Sequence, residues 1–205
     1  MAGYTWDSTI ARYRDLRGRF VRETTVLQYV DRGIANAQSI GQHIGTLAGE
    51  GTLSPSAFNA VMRRELKAEY IRQYVLQRGG RAAMESSDWG RIGGMLREQY
   101  RYLDQFTADI AAGNVSPAQA RIRTGMYFKS AREAAERARR VAKEGAEYNE
   151  VRWVLQPGEN CPDCQAWARL GWQPIEPWPY GANCVPGSGC TVCLTNCNCI
   201  LQWQK

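Results

Sequence analysis

The chain has 205 residues, a formal net charge of +6 and 44% apolar residues, with seven Trp, ten Tyr and four Phe. So much bulky apolar surface excludes a disordered chain, and the length suffices for one substantial core or for a domain with a small appended module. The longest uncharged stretch, 33–49, is interrupted by Asn36, Gln38, Ser39, Gln42 and His43 and is too short and polar to cross a bilayer. Met1–Trp6 lack the basic start and apolar run of a secretory signal, so a soluble protein made in the cytosol, without membrane contact, is expected.

Residues 1–150 carry the whole excess of +6, whereas 151–205 are neutral and hold all seven cysteines. Two domains follow from this shift: a helical body over 1–150 and a cysteine-rich metal-binding module over 151–205.

From Thr24, Val26, Val30, Ile34, Ala37, Ile40, Ile44 and Leu47 recur at three- and four-residue intervals, which predicts a helix with one apolar face. A second stripe runs Phe58, Val61, Met62, Leu66, Tyr70, and a third runs Ile92, Leu96, Tyr100, Leu103, Phe106, Ile110. The punctuation agrees. Gly51-Thr52-Leu53-Ser54-Pro55 and Gly113-Asn114-Val115-Ser116-Pro117 each offer a glycine to end one helix, a serine to cap the next and a proline for its first position. Gly79-Gly80 makes a third break, after which Ser87 or Asp88 is the expected cap.

A fourth helix is predicted from Pro117 to about Gly145. Arg121, Arg123, Lys129, Arg132, Arg137, Arg139, Arg140 and Lys143 face only Glu133 and Glu136 within it. Such a run suits contact with nucleic-acid phosphates, with Arg137, Arg139, Arg140 and Lys143 as the candidate residues. A solvated face, or one meeting an acidic protein, is the alternative. The fold class expected is mainly α: an elongated multi-helix body followed by a small, loop-rich, zinc-ribbon-like module.

Cys161-Pro162-Asp163-Cys164 and Cys190-Thr191-Val192-Cys193 are both C-x2-C pairs, and Cys197 and Cys199 close the run. A C-x2-C turn brings two thiolates onto one ion beside backbone amides, so the pattern predicts a structural zinc. Disulfides, a redox-active dithiol and an iron–sulfur cluster are the rivals. The first conflicts with a reducing cytosol, and the second lacks a thioredoxin-like strand–helix setting. Four thiolate ligands leave no coordination position for a substrate. The only histidine, His43, lies in the first apolar helix, and no phosphate loop or nucleophile elbow is present, so no enzyme activity is expected.

Val154-Leu155 leading to Cys161-Pro162-Asp163-Cys164, then Gly171-Trp172-Gln173-Pro174, then Cys193-Leu194-Thr195-Asn196-Cys197-Asn198-Cys199 resembles the C-terminal region of the minor head, or head-morphogenesis, proteins of tailed bacteriophages, the Mu F-like group. Asp88-Trp89-Gly90, Gln99-Tyr100-Arg101-Tyr102-Leu103 and the Gly79-Gly80 break extend the likeness over most of the chain. Many relatives carry a histidine where this chain has Leu194. With Cys193 as its replacement, the ligands implied are Cys161, Cys164 and Cys193 with Cys197 or Cys199. Cys184 and Cys190 are then either free or paired with each other, while a set including Cys190 stays open. The resemblance further implies a non-catalytic virion component at the head or portal vertex, partnered by major capsid or portal protein, with packaged DNA as a further partner.

Overall fold

The computed structural model describes residues 4–7, 9, 10, 12–144, 146, 148–181 and 184–205. The protein is mainly helical, with a small cysteine-rich region at its C-terminal end. Among the described residues no helix is long and apolar enough to cross a membrane.

The three apolar stripes form three long helices, α1 (Glu23–Gly49), α2 (Pro55–Arg78) and α3 (Ser86–Ala111). Along α2, Phe58, Met62, Leu66, Tyr70 and Tyr74 follow the four-residue helical repeat and are fully buried. They pack with Ile92, Leu96, Leu103 and Phe106 of α3 into the main core. Each such side chain contributes about 1.5–3 kcal/mol on burial, so this stripe rather than helix propensity holds the body together. Ser54 caps α2 through Ala57 N, and the left-handed Gly79 ends it. At α3 the cap lies two positions before Ser87, the nearer of the expected caps: Glu85 is the N-cap, and Asp88 closes a capping box with it. Ile40 departs from its stripe and is half exposed, because α1 meets its neighbours through smaller residues.

Those smaller residues bring α1 against α4 (Pro117–Lys129), which Ser116 caps with Gln119 in a second capping box. Gly41 sits under the Phe128 ring, Gly45 under Ala120 and Thr124, and Gly49 under Pro117. A Cβ on Gly45 would stand 2.6 Å from the Ala120 carbonyl oxygen, a backbone atom that cannot swing away. Gly45→Ala is therefore expected to cost about 1–3 kcal/mol despite alanine's better helix propensity. Denaturant unfolding measures this, and an unchanged midpoint would rule out the close α1–α4 approach as a stabilising contact.

The predicted fourth helix is two helices, α4 and α5 (Ala131–Glu144). Ser130 lies at the break. Its Oγ donates to the Tyr127 carbonyl at 2.6 Å and meets the Tyr70 hydroxyl at 2.7 Å, so side-chain bonding competes with the helical ladder at that point. On α5, Ala131, Ala134, Ala135, Ala138 and Ala142 are all buried, which lets the helix lie close to α2.

Two small sheets flank the helices. At the N-terminal end β1 (Tyr4–Asp7), β2 (Arg12–Asp15) and β3 (Phe20–Val21) form an antiparallel meander. Tyr13 enters the body from β2 and donates its hydroxyl to Gln77 Oε1 at 2.8 Å. In the C-terminal region β4 (Glu150–Val154) runs between β5 (Gln173–Pro174) and β6 (Ile200–Gln204), both antiparallel to it. Val151, Trp153 and Leu201 point from this sheet into a second core with Tyr180, Val185 and the buried cysteines. The C-terminal region rests on α5: the Arg140 guanidinium lies 3.8 Å from the centre of the Trp178 ring, and Gly187 approaches the backbone of Arg132 and Glu133.

Candidate metal centre

The C-x2-C segment straddles the start of α6 (Pro162–Arg169). Cys161 is the N-cap, Pro162 the first helical residue and Cys164 lies in the first turn, where free amides and the positive helix end favour a negatively charged sulfur. Cys193 opens the 3-10 turn Leu194–Asn196, Cys197 closes it, and Cys199 immediately precedes β6. The turn brings Leu194 to φ 51, a left-handed conformation unusual for a side-chain-bearing residue. Asp163, between the first two cysteines, accepts from Val192 N at 2.8 Å and so ties the two cysteine loops together.

Five thiols converge here. Cys161, Cys164 and Cys193 form one group and Cys164, Cys197 and Cys199 a second, the sulfurs of each lying within 4.8 Å of one another. Cys164 belongs to both and is 1% exposed. Its sulfur lies 3.6 Å from that of Cys197 and 3.8 Å from that of Cys193. Tetrahedral zinc with bonds of about 2.3 Å holds its sulfurs about 3.8 Å apart, so the donor type and the spacing both fit a thiolate-bound metal. The cysteine cluster can hold a metal ion.

The surroundings also suit charged sulfur. Burial raises the Cys161 thiol, but the backbone amides of Cys164 and Cys193 outweigh it and hold the group below its ordinary value. Cys199 is lowered to about 6, first by its bond with Cys197 and also by the Trp153 indole and a backbone amide. Trp153 Nε1 is buried with no close hydrogen-bond partner, a donor best satisfied by a charged sulfur beside it. Cys197 is pushed far up by yielding to Cys199 and by burial, and burial together with Cys161 raises Cys164. Without an ion the thiols share their protons unequally, and a divalent cation would replace those protons at its ligands.

Cys184 and Cys190 stand apart from this cluster as a disulfide, with Cα atoms 5.7 Å apart. That geometry removes Cys190 from the ligands and corrects the two-knuckle alternative: the second C-x2-C contributes only Cys193. Asn160 and Asp163 were invisible as site residues in the sequence, although both adjoin cysteines. Asn160 accepts from Cys199 Sγ at 3.6 Å, and its amide donates to the carbonyls of Gln156 and Gly158.

The expected phosphate-binding run requires correction. Arg139 and Lys143 are each only 1% exposed. Arg139 donates to Glu23 Oε1 at 2.9 Å and lies 3.4 Å from Glu136, while Lys143 is 3.0 Å from the same Glu23 oxygen. Arg137 binds Glu133, and Arg140 binds Glu144 while covering Trp178. Arg132 pairs with Asp31 of α1. These cations are mostly consumed within the fold, and Arg139 and Lys143 are inaccessible to a phosphate. His43 lies on the exposed face of α1, away from the cysteines in sequence. Compared with family models, with curated proteins and with solved structures, the chain matches none.

Proposed function

We propose that this protein is a non-catalytic structural component of a bacteriophage head, in which one zinc ion bound by four of the five clustered cysteines holds the C-terminal region in shape. The observation that carries the zinc is the clustering of thiols around Cys164 at near-tetrahedral spacing. Zinc is favoured because it accepts an all-thiolate tetrahedron and leaves no position for a substrate. The ion fastens the α6 end, the Cys193–Cys199 turn and, through Cys199, the start of β6.

The place in a phage head rests on the likeness of the Cys161–Cys164 and Cys193–Cys199 segments to head-morphogenesis proteins. A fold of long packed helices with a metal-stapled end suits a part that meets major capsid or portal subunits. Metal analysis of chelator-free protein is expected to give about one equivalent of zinc with no visible absorption band; an iron–sulfur band would replace the zinc reading. Proheads and virions assembled with the chain present are expected to retain it through density-gradient purification. Its absence from both particles by mass spectrometry would overturn the proposed role.

A further inference from the structure

The geometry points to a nucleic-acid backbone contact on the N-terminal β-meander, a site distinct from the basic helix run, most of whose charges the fold consumes. Between residues 12 and 22 the chain carries Arg12, Arg14, Arg17, Arg19 and Arg22. Side chains alternate along a strand. Tyr13 turns inward to Gln77, so Arg12 and Arg14 occupy the opposite, outer face of β2. The register pairs Arg14 with Phe20, and the Phe20 ring, half exposed, has the Arg14 and Arg12 guanidiniums 4.3 and 5.4 Å from its centre.

Two of these charges are already used, Arg14 by Asp7 at 3.0 Å and Arg19 by Asp15 at 2.7 Å. Arg12, Arg17 and Arg22 are exposed and have no ion-pair partner among the described residues. Arg22 also lies at the N-cap of α1, where a cation opposes the helix dipole and therefore gains nothing from the fold. A cleft of about 400 Å³ opens beside them, lined in part by Arg12, Phe20 and Arg22, with the buried Lys143 at its base already held by Glu23. The one carboxylate in that lining, Glu23, is already held by Arg139 and Lys143 and does not neutralise the rim.

An exposed aromatic ring beside the free Arg12, sharing a cleft with the free Arg22 and with Arg17 in the adjoining turn, matches the combination that binds nucleic acid: cations for the phosphates and a flat apolar face for a base or sugar. The platform is held against the body by Tyr13 on Gln77 and by the Trp6 amide, which donates to the Gly79 carbonyl at 3.4 Å. This inference rests on the meander alone and is independent of the metal.

The test is fluorescence anisotropy of a labelled short DNA, single-stranded and duplex, against the whole protein over a salt series. The triple variant Arg12→Gln/Arg17→Gln/Arg22→Gln is expected to bind at least about tenfold more weakly, with a log–log salt slope shallower by about 2–3. Circular dichroism and zinc content of the variant are expected to match the parent, since the three side chains make no internal ion pair among the described residues. Arg137→Gln/Arg140→Gln is expected to leave DNA affinity unchanged. Equal binding by parent and triple variant would overturn the proposal, as would no binding by the parent at low salt. Competition by polyglutamate as effective as by unlabelled DNA would overturn it in favour of an acidic protein surface.

Discussion

Cys164→Ser is expected to abolish metal retention, whereas serine at Cys161, Cys193, Cys197 or Cys199 leaves a site that still binds. The reason is arithmetic and geometric together. Five thiols serve four places, so the loss of one outer cysteine leaves a possible set of four, but Cys164 is the sulfur common to both groups. Structural zinc supplies about 10–16 kcal/mol in small cysteine modules at neutral pH, as much as the whole net stability of a typical domain. The C-terminal core is small and built partly from the cysteines themselves, so loss of the ion should unfold it. Five of the seven tryptophans, Trp153, Trp167, Trp172, Trp178 and Trp203, lie in that region. Tryptophan emission of Cys164→Ser should therefore shift red while far-UV circular dichroism, dominated by α1–α5, keeps most of its amplitude. Treatment of the parent with a strong chelator should reproduce both signals. If an outer-cysteine variant loses metal as completely as Cys164→Ser, the shared role of Cys164 is wrong.

The parts of the fold legible in the sequence are those fixed by neighbours along the chain. Ser54 and Ser116 cap their helices because a cap needs only an amide three residues away, and the α2 stripe is buried because four-residue spacing puts it on one face. The β-meander was not legible. Its strands are two to four residues long, their outer positions carry arginine, and their anchor is Tyr13 on a residue 64 positions distant. The break at Ser130 likewise depends on Tyr70, from another helix. Of the site, the adjacency of Cys161 and Cys164 is readable from their spacing, whereas the pairing of Cys184 with Cys190 is one of several open readings until the return of the 184–190 loop decides it. Charge in the basic run misled for the same reason: Glu23 lies 116 residues before Arg139, and Asp31 lies 101 before Arg132. One local signal did exist. Ala131, Ala134, Ala135, Ala138 and Ala142 recur at helical spacing, marking an interior helix rather than a solvated basic face.

Arg139→Met is expected to be the most destabilising substitution in the helical body, at about 3–5 kcal/mol, because it leaves a buried carboxylate without its cation. Glu136 is 2% exposed and Arg139 stands beside it, while Arg139 and Lys143 together hold Glu23 at the start of α1. Burial raises the Glu136 carboxyl above its usual value even in the parent, and Arg139 is the largest influence acting against that rise. Removing Arg139 therefore raises it further. A carboxyl whose folded value exceeds its unfolded value binds more proton when folded. Its favourable contribution is complete below the unfolded value and is lost as pH climbs through the folded one. The deficit of Arg139→Met should consequently be smaller at mildly acidic pH than above neutrality, when each variant is compared with the parent at the same pH by denaturant unfolding. Adding Glu136→Leu should recover much of the loss at neutral pH, since replacing both members of a buried pair by apolar groups is often nearly neutral. Lys143 would then remain as the cation on Glu23, its own ammonium lowered to about 8 chiefly by burial. A double variant no more stable than Arg139→Met would show that Arg139 acts through packing alone, and a deficit independent of pH would remove Glu136 as its cause.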